Sequence, residues 1–380
     1  MNERPYDVVL FGATGFTGAL TAEYLHANAG EARLALAGRN RKKLEDLGLD
    51  LPLVEADADD AESLREMTAS TRVVITTVGP YIKYGEPLVA ACAETGADYV
   101  DLTGEPEFVD LMYVRHHEEA VASGARIVHC CGFDSIPHDL GAYFTVKELP
   151  EGVPIKVEGF VRAGGTLSGG TFETALTAFS RVRHMAGASG ERKKREPRPE
   201  GRRARGVRGL PKRQSSLGAW ALPMPTIDPQ VVVRSARALD RYGPDFSYGH
   251  YMAIKSLPVA AGLSVGMAGL FAAAQVPPVR DFLLSRRKPG EGPSKEQIEK
   301  GWFKVRFEGE GGGSRVVTEV SGGDPGYGDT AKMLSEAALC LAQDDLPETA
   351  GQVTTAVAMG DALIERLKRA GISFEVLEKH

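Results

Sequence analysis

The start of the chain constrains it most. Val8-Val9-Leu10-Phe11 is an apolar run, Gly12-Ala13-Thr14-Gly15-Phe16-Thr17-Gly18 follows at once, and Leu20, Ala22, Leu25 and Ala29 then mark a helix face. The order reads as buried strand, glycine turn and helix. A dinucleotide pyrophosphate needs such a unit. The first glycine turns the chain sharply and the second lets backbone approach the phosphates. The third lets the helix pack closely on the sheet with its N–H groups facing the anion. The spacing is G-x-x-G-x-x-G rather than G-x-G-x-x-G, so the weight comes from its place directly after the first strand. Gly12, Thr14, Gly15, Phe16, Thr17 and Gly18 are the expected cofactor cradle.

The tip of the second strand, Arg33 to Ala37, selects among cofactors. A free ribose 2′-hydroxyl is met there by Asp or Glu. Here the strand runs into Gly38-Arg39-Asn40, with no acid. The Arg39 guanidinium suits a 2′-phosphate, so NADP(H) is expected rather than NAD, with Asn40 beside it. Leu53 to Asp57 reads as a third strand that brings Asp57 near the adenine edge. Val73 to Val78 is a central parallel strand ending in Gly79-Pro80-Tyr81. Ligands of open α/β sheets bind beyond the carboxyl ends of strands, which adds Val78, Gly79, Pro80 and Tyr81 to the cofactor set. A helix from Glu86 to Thr95, a strand through Tyr99-Val100-Asp101, a helix over 106–123 and a strand from Arg126 to Cys130 complete the alternation. The last strand leads into Cys131-Gly132-Phe133-Asp134-Ser135-Ile136-Pro137-His138, which places Gly132 and Phe133 at the cofactor. The fold expected is α/β: an N-terminal doubly wound Rossmann sheet and a second α+β domain.

With 380 residues there is room for two domains, and 43% hydrophobic with 25% charged residues is an ordinary globular balance. A net charge of −6 does not advertise nucleic acid, and none is expected as a partner. The first residues carry no apolar signal region, which points to the cytoplasm. Cys92, Cys130, Cys131 and Cys340 have no zinc spacing and read as free thiols; no metal is expected.

In the second half, Ile155 to Arg162 alternates as a strand, a glycine-rich turn at 164–171 leads into a helix at 171–184, and 302–309 with 315–320 form a hairpin. Residues 191–213 hold eleven Lys and Arg against three Glu, so a basic mobile loop is expected over 188–216. It is a candidate dock for an acyl-carrier domain or an anionic membrane surface. Ser256 to Val279 has no charge. Its Ala and Gly content favours a buried or interfacial helix over a transmembrane one, and the basic flank Arg280, Arg286, Arg287 and Lys288 suits a membrane surface. A peripheral membrane location is therefore the companion to the cytoplasmic one.

The segments G-A-T-G-F-T-G, A-G-R-N, T-V-G-P-Y, Y-V-D-L-T-G-E and C-G-F-D-S-I-P-H-D-L-G resemble the saccharopine-dehydrogenase-like oxidoreductases. So do Tyr242 to Tyr248 and Gly322 to Met333 (G-G-D-P-G-Y-G-D-T-A-K-M). Within them the chain looks most like the trans-acting enoyl reductases of actinobacterial lipid assembly. The resemblance covers nearly the whole chain. It implies an NADP-binding domain at 1–148, a substrate or dimerisation domain at 149–327, and C-terminal helices in 328–380 that pack back on the first. A homodimer and an apolar or acyl-type substrate belong to the same expectation.

The cofactor carries the hydride, so the protein must position the acceptor and supply a proton. Tyr81, Tyr99, Asp101, Asp134 and His138 lie near expected strand ends and are the catalytic candidates. Reduction of an enoyl thioester leads. A saccharopine-type imine reductase and a non-catalytic NADP-binding sensor are the rivals.

Overall fold

The computed structural model describes residues 4–164, 176–177, 180–285 and 292–380. Most of the glycine-rich turn at 164–171, with Arg286, Arg287 and Lys288, lies outside them.

The first 128 residues alternate strand and helix. The elements are β1 (Tyr6–Phe11), α1 (Phe16–Asn28), β2 (Leu34–Gly38), α2 (Arg41–Glu45), β3 (Leu53–Glu55), α3 (Ala61–Ala69), β4 (Thr71–Thr76), α4 (Tyr81–Tyr84), α5 (Glu86–Thr95), β5 (Asp98–Asp101), α6 (Pro106–Ser123) and β6 (Arg126–Val128). The strands are parallel in the order β3-β2-β1-β4-β5-β6, the doubly wound arrangement. Strand alternation builds a core on each face: Val8 and Leu10 pack into one, Val9 and Phe11 into the other. Local signals set the helix ends. Asp60 accepts from the Glu62 and Ser63 N–H groups at the start of α3, while left-handed Gly96 and Gly124 end α5 and α6.

The chain then crosses through α7 (Ile136–Lys147) into a mixed second sheet. Its elements are β7 (Ile155–Gly164), α8 (Val182–Arg195), β8 (Arg203–Val207), β9 (Lys212–Gln214), β10 (Ala219–Pro223), α9 (Asp228–Ala238), β11 (Asp245–Ile254), α10 (Leu257–Ala274), α11 (Pro277–Ser285), α12 (Lys295–Glu299), β12 (Trp302–Gly311) and β13 (Ser314–Gly322). α7 lies across this sheet so closely that a Cβ on Gly141 would stand 2.3 Å from the Phe307 ring. The chain closes with α13 (Gly328–Gln343), β14 (Gly351–Val353), α14 (Thr355–Ala358), α15 (Gly360–Arg369) and β15 (Ser373–Lys379). α13 covers β1, β4 and β5 beside α1, and β14 extends the first sheet past β6.

Four expectations are corrected. The basic segment 188–216 is built into α8, β8 and β9 rather than loose, because its cations meet distant carboxylates. Arg192 is buried against Asp110 and Glu196, Arg202 pairs with Asp240, Arg205 with Asp245 and Lys212 with Glu158. The run 256–279 is a helix but not a buried one: of α10 only Ala260 and Ala274 are buried. The hairpin is tighter than the sequence suggests, turning at Gly312 and Gly313, both at positive φ. Finally, β15 does not return to the first domain but pairs with β13 in the second sheet.

Candidate active site

The cofactor turn is shaped by sterics. Gly12 has a φ of +90°, and a Cβ there would lie 2.7 Å from Val78 Cγ2. At Gly18 a Cβ would stand 2.1 Å from the Gly12 carbonyl oxygen, so α1 can start only because that residue has no side chain. Gly15 differs: its Cβ would meet only the Gly12 oxygen, at 3.5 Å. What its hydrogen keeps open is space outside the protein, where a pyrophosphate approaches. Gly15 also caps α1 with no side-chain bond to the first-turn N–H groups, and no acid stands there. Those donors fit an anion. Thr14 is exposed and Thr17 half-buried beside them. Phe16 packs edge-on against Tyr327 at 4.9 Å, which ties the turn to the start of α13.

Arg39 stands exposed at the end of β2 and makes no ion pair among the described residues, so its guanidinium is available to a phosphate. Asn40 is engaged structurally: its side chain accepts the Lys43 N–H and caps α2. Asp57 shapes the turn after β3 by accepting the Asp59 N–H at 3.1 Å. Val78, Gly79 and Pro80 line the end of β4 and are partly or fully exposed. Gly132 is buried where a Cβ would press on Leu102 Cδ2 at 2.7 Å, and the Phe133 N–H donates to Thr330 Oγ1 at 3.1 Å. The two most distinctive sequence segments, 131–138 and 322–333, thus meet at one edge of the first sheet.

Three catalytic candidates are turned inward. Tyr81 is buried; its hydroxyl donates to the Thr76 carbonyl at 3.1 Å and accepts the Leu102 N–H at 3.2 Å, pinning β4 to the end of β5. Tyr99 and Asp101, two apart on β5, share one interior face. Tyr99 donates to Asp101 Oδ2 at 2.9 Å, and His129 Nδ1 lies 2.6 Å from the same oxygen. Asp101 Oδ1 takes the Thr103 and Cys130 N–H groups, both at 3.0 Å. Burial pushes the Tyr81 and Tyr99 hydroxyls well above the ordinary phenol range.

Asp134 and His138 enter a different group. The loop that carries them holds the two non-glycine residues at positive φ among those described, Cys130 at 65° and Ser135 at 115°, a strained path of the kind that serves sites. Asp228, the first residue of α9, reaches it from the second domain. His138 Nδ1 lies 3.1 Å from Asp228 Oδ1, His250 Nε2 of β11 lies 3.4 Å from Oδ2, and Ser135 Oγ donates to Oδ1 at 3.0 Å. His250 Nδ1 is paired with the Tyr248 hydroxyl at 3.1 Å. The two imidazoles and the carboxylate are buried, with ligand-type atoms within 4.8 Å of one another. No spacing discloses this group, since Asp228 and His250 come from separate elements.

Charge balance fixes its protonation. Burial alone raises the Asp228 carboxyl, but His138 and His250 outweigh it and hold it well below the usual carboxylate range. Burial lowers His250 and keeps it neutral. The Ser135 hydroxyl and the two imidazoles are the groups that face this buried carboxylate. Half-buried Asp134 is pushed up to about 6 by burial, with Asp228 adding to the rise and His138 opposing it. One edge of the cleft therefore carries an acid that keeps its proton up to about pH 6, backed by the buried His138–Asp228–His250 group.

A family model for the saccharopine dehydrogenase NADP binding domain matches residues 8–128. A Mycobacterium tuberculosis protein provisionally named a trans-acting enoyl reductase is 38% identical, with 98% of this chain and 97% of the relative covered. A trans-acting enoyl reductase of Mycobacterium ulcerans is 33% identical over 100% of this chain and 99% of its own. Among solved structures, saccharopine dehydrogenase (L-Glu forming) from Saccharomyces cerevisiae matches at a TM-score of 0.55 and 13% identity, covering 98% of this chain and 100% of that one, a likeness of fold.

Proposed function

The chain belongs to the trans-acting enoyl reductases of the saccharopine-dehydrogenase-like family, and from that premise we propose that it reduces the enoyl group of an acyl thioester with NADPH, taking the proton from Asp134. It is an NADP-dependent oxidoreductase. The open Gly15 edge, the uncapped start of α1 and unpaired Arg39 are the residues that fit the cofactor. Bound NADPH supplies the hydride that reaches the β-carbon of the enoyl group. The protein's own task is the proton that the α-carbon then takes.

Asp134 holds that proton as a carboxylic acid at the mouth of the buried cluster. His138, with Nδ1 3.1 Å from Asp228 Oδ1, belongs to the buried group behind it. Ser135, Tyr248 and His250 are positioning residues. The observation that carries the reading is the His138–Asp228–His250 group, assembled from both domains at the carboxyl edge of the nucleotide sheet.

The partner reading is narrower than eleven cations suggest. Lys193, Lys194, Arg198, Arg203, Arg208 and Arg213 are exposed and unpaired among the described residues, and they are the surface an acidic acyl-carrier domain would meet.

The test is NADPH oxidation with crotonyl-coenzyme A as the enoyl probe. Consumption of NADPH by the full chain, and its fall by about a hundredfold or more in Asp134→Asn, supports the reading. Oxidation with an amino acid plus a keto acid but not with the thioester turns it to the saccharopine-type imine reaction. Tight NADPH binding with no acceptor turns it to a sensor.

A further inference from the structure

α10 is an apolar helix that the other described residues leave largely uncovered. Residues 261–269 are exposed without interruption, two and a half turns in which every face meets the outside; Val265 is 73% exposed. Leu257, Val259, Leu263, Met267 and Phe271 stand out with it. A helix that docks on a protein shows one apolar face and one polar face; α10 has no polar face. No charge occurs from Ser256 to Val279, and the Ser264 hydroxyl donates back to the Ala260 carbonyl at 2.9 Å. Between its end turns the polar groups of such a helix are satisfied from within, as hydrocarbon requires. At eighteen residues it is about 27 Å long.

The foot of α10 has a different chemistry. α10 leaves the sheet at Ile254, which pairs with Trp220, while neighbouring β7 ends at Gly164 opposite Trp302. The chain has two tryptophans, and both flank this point. Trp302 is exposed and lies under the Arg162 guanidinium at 5.9 Å. Arg213, in register with Trp220, and Lys255 are exposed cations without an ion pair among the described residues. Indole rings and cations around the foot of an apolar helix match the headgroup layer of a bilayer.

We propose that α10 inserts into an anionic lipid bilayer, with Trp220 and Trp302 at the headgroup level and Arg162, Arg213 and Lys255 on the lipid phosphates. A second copy of the chain would cover one side of α10, whereas lipid covers all of them. After α11 the chain comes back to the first domain at Gly292, where a Cβ would be 2.3 Å from the Phe16 ring. The insertion does not depend on the reductase reading.

The test is co-sedimentation of the full chain with vesicles of phosphatidylcholine alone or mixed with phosphatidylglycerol. The wild type pellets with the mixed vesicles, and brominated lipid quenches its tryptophan fluorescence. Combining Leu263→Asp, Val265→Asp and Met267→Asp lowers partitioning on the order of a hundredfold. Thermal melting of that variant matches the wild type, because the three side chains are exposed. Arg213→Glu with Lys255→Glu weakens binding to the mixed vesicles at least about fivefold per cation and changes binding to phosphatidylcholine little. A wild type that stays in the supernatant with both vesicles overturns the proposal. So does a dimer in sedimentation velocity that the Asp substitutions dissociate while vesicle binding is absent.

Discussion

The glycine turn and the histidine cluster lie at the same carboxyl edge of one sheet and are built in opposite ways. The turn is local: seven consecutive residues, shaped by what their missing side chains permit. The cluster is distant: residues 134–138, 228 and 250 converge only when α9 and β11 close on the loop after β6. A local device tolerates its surroundings but not its own substitution. A distant one depends on two domains holding their places, and it concentrates charge where water is scarce.

That contrast can be broken at its strongest point. Gly18→Val places a side chain within 2.1 Å of a carbonyl oxygen and is expected to remove folded protein, a loss above about 4 kcal/mol in chemical denaturation. Gly15→Ala, which meets nothing closer than 3.5 Å, keeps its melting temperature and loses NADPH affinity in a fluorescence titration. If both unfold, the open edge at Gly15 is not there for a ligand. In the cluster, Asp228→Asn removes the carboxylate that Ser135, His138 and His250 face, at a cost of roughly 1–3 kcal/mol by urea denaturation. An unchanged midpoint means the Asp228 carboxylate does not hold the group together.

Asp139 sharpens the comparison through pH. It is buried and pushed up to about 6 by burial, although Ser235, Thr355 and the Ala356 N–H donate to it. Its folded pKa lies above the unfolded value, so its contribution is full below about pH 4 and fades as pH rises through 6. The stability of wild type relative to Asp139→Asn should fall by about 3 kcal/mol at most between pH 4 and 7. A flat difference removes the assignment. The smallest effect belongs to the turn's neighbour: Arg39→Asp should weaken NADPH on the order of tenfold to a hundredfold while NADH changes little. Equal losses would end its role on the 2′-phosphate.

The nucleotide half was legible because its signals are short-range. Apolar runs gave the strands, glycines the turn, and Asp60, Gly96 and Gly124 the helix ends. Tyr81, Tyr99 and Asp101 were read at the right strand ends, but strand alternation turns them inward, and their hydrogen bonds are spent within the protein. Asp228 and His250 carry no local mark; each is a single residue whose meaning lies in a contact across domains. The basic segment misled for the same reason, since Asp110, Asp240, Asp245 and Glu158, which order it, are far away in sequence. α10 and α13 show the limit of hydrophobicity itself. α13 carries Asp329, Lys332 and Glu336 and is almost wholly buried, while uncharged α10 is bare. Composition shows that α10's surface must leave water, not what receives it.

The measurement that bears most directly on the site is the pH profile of kcat/KM for NADPH oxidation with crotonyl-coenzyme A, wild type against Asp134→Asn. A donor that must hold its proton gives a rate that falls as pH rises through about 6, and the variant is slow with that fall abolished. A variant that keeps the wild-type rate and the same profile contradicts Asp134 as the proton source.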